Sequence, residues 1–204
     1  MTVTFTPTTV NNPAGAQGSY PLVLGIGHEG MIADQQAYVT RSYRNQSGLA
    51  LPFGVLAMTD NTPTSNDPYA IEIATGATSI VGLVVSSLTF EGTSLGSTYT
   101  PNPSPVYTDG RLGYPDKQSI SILSKGVVWV YTTEAVALGD AVRFWDTDYS
   151  ATVAGAFLGR FCKTASSTRT TAVSTGARWL SETSGAGLAQ LEINLPSATF
   201  TADA

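Results

Sequence analysis

The chain has 204 residues, a net charge of −5 at pH 7 and an isoelectric point near 4.7, and only 12% of its side chains are charged. A single cysteine excludes an internal disulfide and a multi-cysteine metal site, and three lysines and seven arginines without a cluster exclude the phosphate-neutralising patch of a nucleic-acid binder. Threonine (28), serine (20), glycine (20) and proline (11), set among 42% hydrophobic residues, give the composition of an all-β protein rather than of a disordered tract.

The first 19 residues carry no charged side chain. Val3 and Phe5 alternate with threonines as in a short strand, and Pro7, Asn11-Asn12-Pro13 and the glycines then break it. Residues 1–19 therefore read as an extended arm that lies on another surface. Met1–Val10 also lacks the basic stretch and apolar run of a secretory leader, so the expectation is synthesis in a reducing cytosol. The longest apolar run, Ile80–Val85, is too short to span a bilayer, and no membrane partner is expected.

From Tyr20 onward, β-type runs alternate with turn signals. They are Tyr20–Ile26, Gln36–Tyr43, Phe53–Met58, Tyr69–Ala74, Ile80–Phe90, Ser119–Leu123, Gly126–Thr132, Ala141–Asp146, Phe157–Lys163, Ala177–Ser181 and Leu188–Leu195. The last alternates cleanly, with Ala189, Leu191, Ile193 and Leu195 on one face and Gln190, Glu192 and Asn194 on the other. Tyr69, Ile71 and Ile73 do the same around Glu72. Eleven such runs predict one domain over 20–195, an antiparallel β-barrel or sandwich, with 196–204 as a C-terminal tail. The only helix-like stretch, Thr133–Leu138, is a turn in length. Residues 93–118, with Pro101, Pro103, Pro105 and Pro115 and an Asp109-Gly110 turn, form a protruding Pro-rich insert of a length that compact domains reserve for function. Arm and insert lack a periodic core face. Val3, Phe5, Pro101, Pro103, Tyr107 and Arg111 are accordingly the candidate interface residues.

Motifs of chemistry fail on their context. Gly25-Ile26-Gly27-His28-Glu29-Gly30 spells a dinucleotide fingerprint, but that fingerprint needs a following helix and an acid about 20 residues on, and neither is present. Gly92-Thr93-Ser94-Leu95-Gly96 spells a nucleophile elbow, yet the one histidine, His28, lies upstream of it. His28 beside Glu29 lacks the further ligands that a metal needs. Cys162 sits in an apolar run and reads as a buried small hydrophobe. Asp146-Thr147-Asp148 lacks the rest of a calcium loop. Asn45-Gln46-Ser47 is a glycosylation sequon without meaning unless the protein is secreted. Trp129 with Tyr131 and Trp145 near Tyr149 read as core or interface aromatics before a sugar platform. No catalytic residue, cofactor site or metal site is assigned.

In order, the chain then shows Ile80-Val81-Gly82-Leu83-Val84, Ser124-Lys125-Gly126-Val127-Val128-Trp129-Val130, Ala137-Leu138-Gly139-Asp140-Ala141-Val142-Arg143-Phe144, Leu158-Gly159-Arg160-Phe161 and Ala186-Gly187-Leu188-Ala189-Gln190-Leu191-Glu192-Ile193. In the order and spacing of these pieces, over roughly residues 20–195, the chain resembles the capsid cement (head decoration) proteins of tailed bacteriophages. The resemblance implies a clamp- or tulip-like β fold, a homotrimer, and a seat on the outer surface of the virion capsid. There it would tie neighbouring major capsid protein subunits together without enzymatic activity. A tail-fibre or receptor-binding module and a carbohydrate-binding module are the alternatives. The first would favour a fixed-period repeat, which the chain lacks, and the second paired carboxylates with exposed aromatics.

Overall fold

A computed structural model describes residues 27–60, 69–86 and 113–203 of the chain. Among the described residues are thirteen strands, one 3-10 turn at Leu195–Ser197 and no α-helix. The strands of the first half are β1 (Ile32–Asn45), β2 (Leu51–Pro52), β3 (Leu56–Thr59), β4 (Ala70–Ile73), β5 (Ile80–Val85) and β6 (Gly113–Tyr114). Those of the second half are β7 (Ser119–Thr132), β8 (Val142–Trp145), β9 (Phe161–Cys162), β10 (Thr170–Thr175), β11 (Ala177–Trp179), β12 (Gly187–Asn194) and β13 (Thr199–Ala202).

The all-β expectation holds. Strands β1, β4, β3, β5 and β7 pair in that order, and β7 pairs β1 again, so the pairings close into a five-stranded ring. An odd ring cannot alternate direction all the way round, which is why the pairing is mixed rather than purely antiparallel. The parallel step falls at β1–β4, over Arg44↔Ala70 and Asn45↔Ile71. A second parallel contact joins β7 to β9 at Thr132↔Phe161.

Two apolar cores follow from this arrangement. Ala57, Ile71, Ile73, Val84, Ile120 and Ile122 come together from the ring strands, with Leu51, Phe53, Val55 and Tyr114 beside them. The alternate residues of the same strands, Leu56, Met58, Leu83, Val85 and Leu123, join a second core with Val128, Phe144, Phe161, Trp179, Leu191 and Ile193. β3 and β5 are thus covered on both faces, and both-face burial explains why Ile80–Val85 reads as a continuous apolar run instead of an alternating one. Fourteen-residue β7 is the shared spine, with its first half in the ring and its second half pairing β12 from Lys125↔Asn194 to Thr132↔Gly187. The remaining sheet runs β9, β8, β10, β13, with β11 folded back on β12.

Ring closure is tight at Gly82. A Cβ there would stand 2.2 Å from Ile122 Cγ2 and 2.6 Å from the Leu123 carbonyl oxygen. Gly82→Ala should therefore cost about 2–3 kcal/mol through overpacking, read as a lower urea midpoint with an unchanged slope. An unchanged midpoint would mean that the ring has room it does not show.

Residues 1–26, which hold the arm, and 87–112, which hold most of the insert, lie outside the described residues. The end of the insert is described: Gly113 and Tyr114 pair with Pro52 and Leu51, and the buried Tyr114 hydroxyl donates to the Val85 carbonyl at 2.9 Å. Within the segment read as a C-terminal tail, β13 pairs β10 from Thr171↔Ala202 to Thr175↔Thr199.

Candidate interaction surface

The residues that spell catalytic motifs have structural roles here. Gly27 packs against the Trp129 indole, where a Cβ would stand 2.7 Å from the ring. Gly30, at φ 79°, donates its N–H to the Trp129 carbonyl at 2.8 Å and accepts from the Ser86 N–H at 2.9 Å. The glycine spacing thus serves a turn wedged between the ends of β5 and β7, and strand β1 follows in place of a helix. His28 Nε2 lies 2.9 Å from the Ser86 hydroxyl. Gly92–Gly96 lies outside the described residues.

Cys162 is fully buried beside Trp145 and Ala156, and its thiol donates to the Thr164 carbonyl at 3.7 Å. Burial, reinforced by the Glu134 carboxylate, pushes the thiol far above its ordinary pKa, which keeps it un-ionised and unreactive. The sequon residue Asn45 is also fully buried. Its amide donates to the carbonyls of Leu49 and Pro115 at 2.7 and 3.1 Å and its oxygen accepts from the Ser47 hydroxyl at 2.7 Å, so it serves as an internal tie. Trp129 and Trp145 are buried, Trp145 stacks on Tyr149 at 5.9 Å, and Arg169 caps Tyr149 at 4.0 Å. Asp146 accepts from the Thr171 hydroxyl at 2.8 Å, and Asp148 accepts from the Ser150 N–H and hydroxyl at 3.0 and 2.7 Å. Among the described residues, no three His, Cys, Asp or Glu side chains come together as metal ligands would.

Several charges are placed to hold segments together. Arg160 forks onto Glu29 through Nε and Nη2 at 3.1 and 3.0 Å, and its guanidinium lies 4.2 Å from the Tyr131 ring centre. Arg143 grips Asp203 and the Lys163 carbonyl, and Thr170 donates to Asp203 at 2.6 Å, which fastens the end of the chain. Arg178 pairs with Glu192 across β11–β12.

Glu134 accepts from the backbone N–H groups of Lys163 and Thr164 at 2.9 and 2.8 Å and from the Thr164 hydroxyl at 2.7 Å. Burial alone would raise its carboxyl, but these donors outweigh it and hold the pKa below 4.5. Asp140 is lowered too, by the Ala137 N–H and then by Lys163. A depressed carboxyl contributes stability that is full above its unfolded value and lost as pH falls through the folded one. Burial and the neighbouring Asp60 raise Glu72, which works in the opposite sense and softens the fall. The melting temperature should therefore drop as pH is lowered below 4.5, and Glu134→Gln should flatten the drop. An identical acid profile for the variant would remove Glu134 from the account.

One surface has no such compensation. Residues 37–42 of β1 are exposed one after another although the strand is paired to β7, whereas a strand over a core hides every second residue. Tyr38 and Val39 are 44% and 46% exposed, and among the described residues nothing pairs with the far edge of 37–43. Between Asp34↔Val127 and Val39↔Lys125 the strand bulges away from β7. Gly126, at φ 143°, admits the bulge, since a Cβ there would stand 2.9 Å from Tyr38 Cβ. Arg41 and Arg44 on β1, Lys125 opposite Val39 and Lys117 next to Asn45 have no carboxylate partner among the described residues. The sequence carries the signal, since residues 35–45 contain two arginines and no acid in a chain of net charge −5. The candidate interface residues Val3, Phe5, Pro101, Pro103, Tyr107 and Arg111 all lie outside the described residues.

Comparison with known proteins adds to this picture. A family model described as structural cement protein (E217 gp24/Pam3 gp6) matches residues 16–194. Among solved structures, a chain from the capsid of Myoviridae phage XM1 is similar at a TM-score of 0.56 and 16% identity, over 87% of this chain and 96% of that one. No curated protein matches.

Proposed function

Because this chain belongs to the structural cement protein family, we propose that it binds the outside of a phage head as a homotrimer and stabilises contacts between major capsid protein subunits. Its structural, capsid-associated role follows from the family; the outer seat, the three-fold assembly and the contact with shell subunits are proposed. The observation that carries it is the family match over residues 16–194, most of the chain. Composition supports it, because few charges and many hydroxyls suit a surface covered by neighbours in a lattice. Many weak contacts repeated over a shell hold far longer than any one of them. A purely structural role also fits a cysteine that is buried and un-ionised and a histidine engaged with Ser86.

The test is direct. Added to undecorated heads, the protein should raise the temperature at which they release DNA, because a ligand of the assembled state stabilises it by mass action. Decorated and bare heads that fail at the same temperature would refute the reading. Light scattering of the free protein should give three times the 21.3 kDa chain mass. The N-terminal arm is proposed to make contacts outside the protomer, so removal of residues 2–12 should leave the β-domain folded and weaken trimer or head association.

A further inference from the structure

Resting on that reading, we infer that the open edge of β1 over residues 37–43, which ends where β4 pairs Arg44, takes an extended, acidic segment of the shell subunit as an added strand. Three independent features converge there. The edge is unpaired among the described residues, and so presents backbone N–H and carbonyl groups to a partner strand. Both faces are uncovered over residues 37–42, and they carry Tyr38 and Val39 as apolar contacts. The cations Arg41, Arg44, Lys117 and Lys125 around it lack acidic partners among the described residues, while Arg143, Arg160, Lys163 and Arg178 have theirs.

The arrangement selects the occupant. Arg41 and Arg44 are three residues apart, so strand alternation sends them to opposite faces of the edge. An added strand would lie between them, with acidic side chains on either of its faces within reach. Nucleic acid would be met by cations gathered on one face. The same edge of a second copy would bring arginines towards arginines, and such like-charge contact opposes pairing.

The experiment compares binding of the full chain to undecorated heads with that of Arg41→Glu/Arg44→Glu. The reversal should weaken apparent affinity about tenfold or more, and wild-type binding should fall as salt rises above physiological strength. Arg178→Glu, the same kind of change on the β11–β12 hairpin, should bind within about twofold of wild type. If the reversal fails to fold, Arg41→Gln/Arg44→Gln replaces it, with about a threefold loss expected. Unchanged head affinity in a folded variant would overturn the inference and leave the cement reading standing. Loss of self-association with head binding intact would also overturn it, by making the edge an interface between copies. Wild-type protein that does not bind heads would overturn the cement reading and this inference together.

Discussion

Trp179→Ala should be the most damaging single truncation in the second core, costing about 4 kcal/mol. The indole is 2% exposed, meets Phe161 edge-on at 6.4 Å and donates Nε1–H to the Ala141 carbonyl at 3.2 Å. It is thus the piece of β11 that seats the β11–β12 hairpin on β8 and β9. Truncation removes a large apolar surface, leaves a cavity and orphans a carbonyl at one stroke. Trp179→Phe should recover much of the packing and none of the hydrogen bond, and so fall between the two. Urea denaturation separates the three proteins, and equal midpoints for Ala and Phe would show that the cavity is not the main term.

Arg160→Ala is expected to follow, at about 3 kcal/mol, because it strands the Glu29 carboxylate in a largely buried site. Arg160 is 7% exposed, and the fork to Glu29 joins two segments 131 residues apart. The pair itself is a different matter, since removal of both charges spares the desolvation of both. Glu29→Leu/Arg160→Met should therefore be markedly more stable than either single truncation. Arg160→Lys keeps the charge but loses the fork and the stack on Tyr131, so it should lie in between. A double replacement as unstable as the single one would assign the effect to packing against Tyr131 and against Phe157, whose ring centre lies 5.3 Å from the guanidinium.

Alternation made some elements legible in the sequence and hid others. Leu188–Leu195 was readable because one face is buried and the other is not: Ala189, Leu191 and Ile193 are fully buried in β12, and Leu195 already belongs to the following 3-10 turn. In Tyr69–Ala74, Ile71 and Ile73 point inward as their spacing implies, but Tyr69 is 61% exposed because the strand begins at Ala70. Ser119–Leu123 and Gly126–Thr132 read as two strands and form one, because β7 exchanges β5 for β12 along its length and the glycine marks that exchange. Phe53–Met58 reads as one run and is broken at Gly54, whose φ of 73° no strand adopts. Phe157–Lys163 shrinks to Phe161–Cys162 for a like reason at Gly159, φ 80°. β10 shows no such alternation because two of its three buried positions, beside Val173, are adjacent threonines. Thr170 and Thr171 are fully buried with their hydroxyls bound to Asp203 and Asp146, partners that no local pattern reveals. β13 pairs β10 and was lost with it.

The surface was less legible than the fold. An arm and a loop without core periodicity can be recognised in a sequence, but open flanks on a paired strand cannot. Residues 37–42 alternate no worse than a half-buried strand would, and only the three-dimensional neighbourhood shows that neither side is covered.

The five-stranded ring has a consequence for the order of events during synthesis. Its first strand is complete at Asn45, but the strand that closes it ends at Thr132, so Ile32 meets Val128, 96 positions further along the chain. Hairpins such as β3–β4 can form early, whereas closure waits until all of β7 has left the ribosome. Pairings of this span make folding slow, on the scale of about milliseconds to seconds. Until then, β1 and the apolar strand β5 each lack β7 as a neighbour. A nascent chain stalled short of residue 119 should be held by chaperones and cut by proteases, and one stalled well beyond residue 132 should resist both.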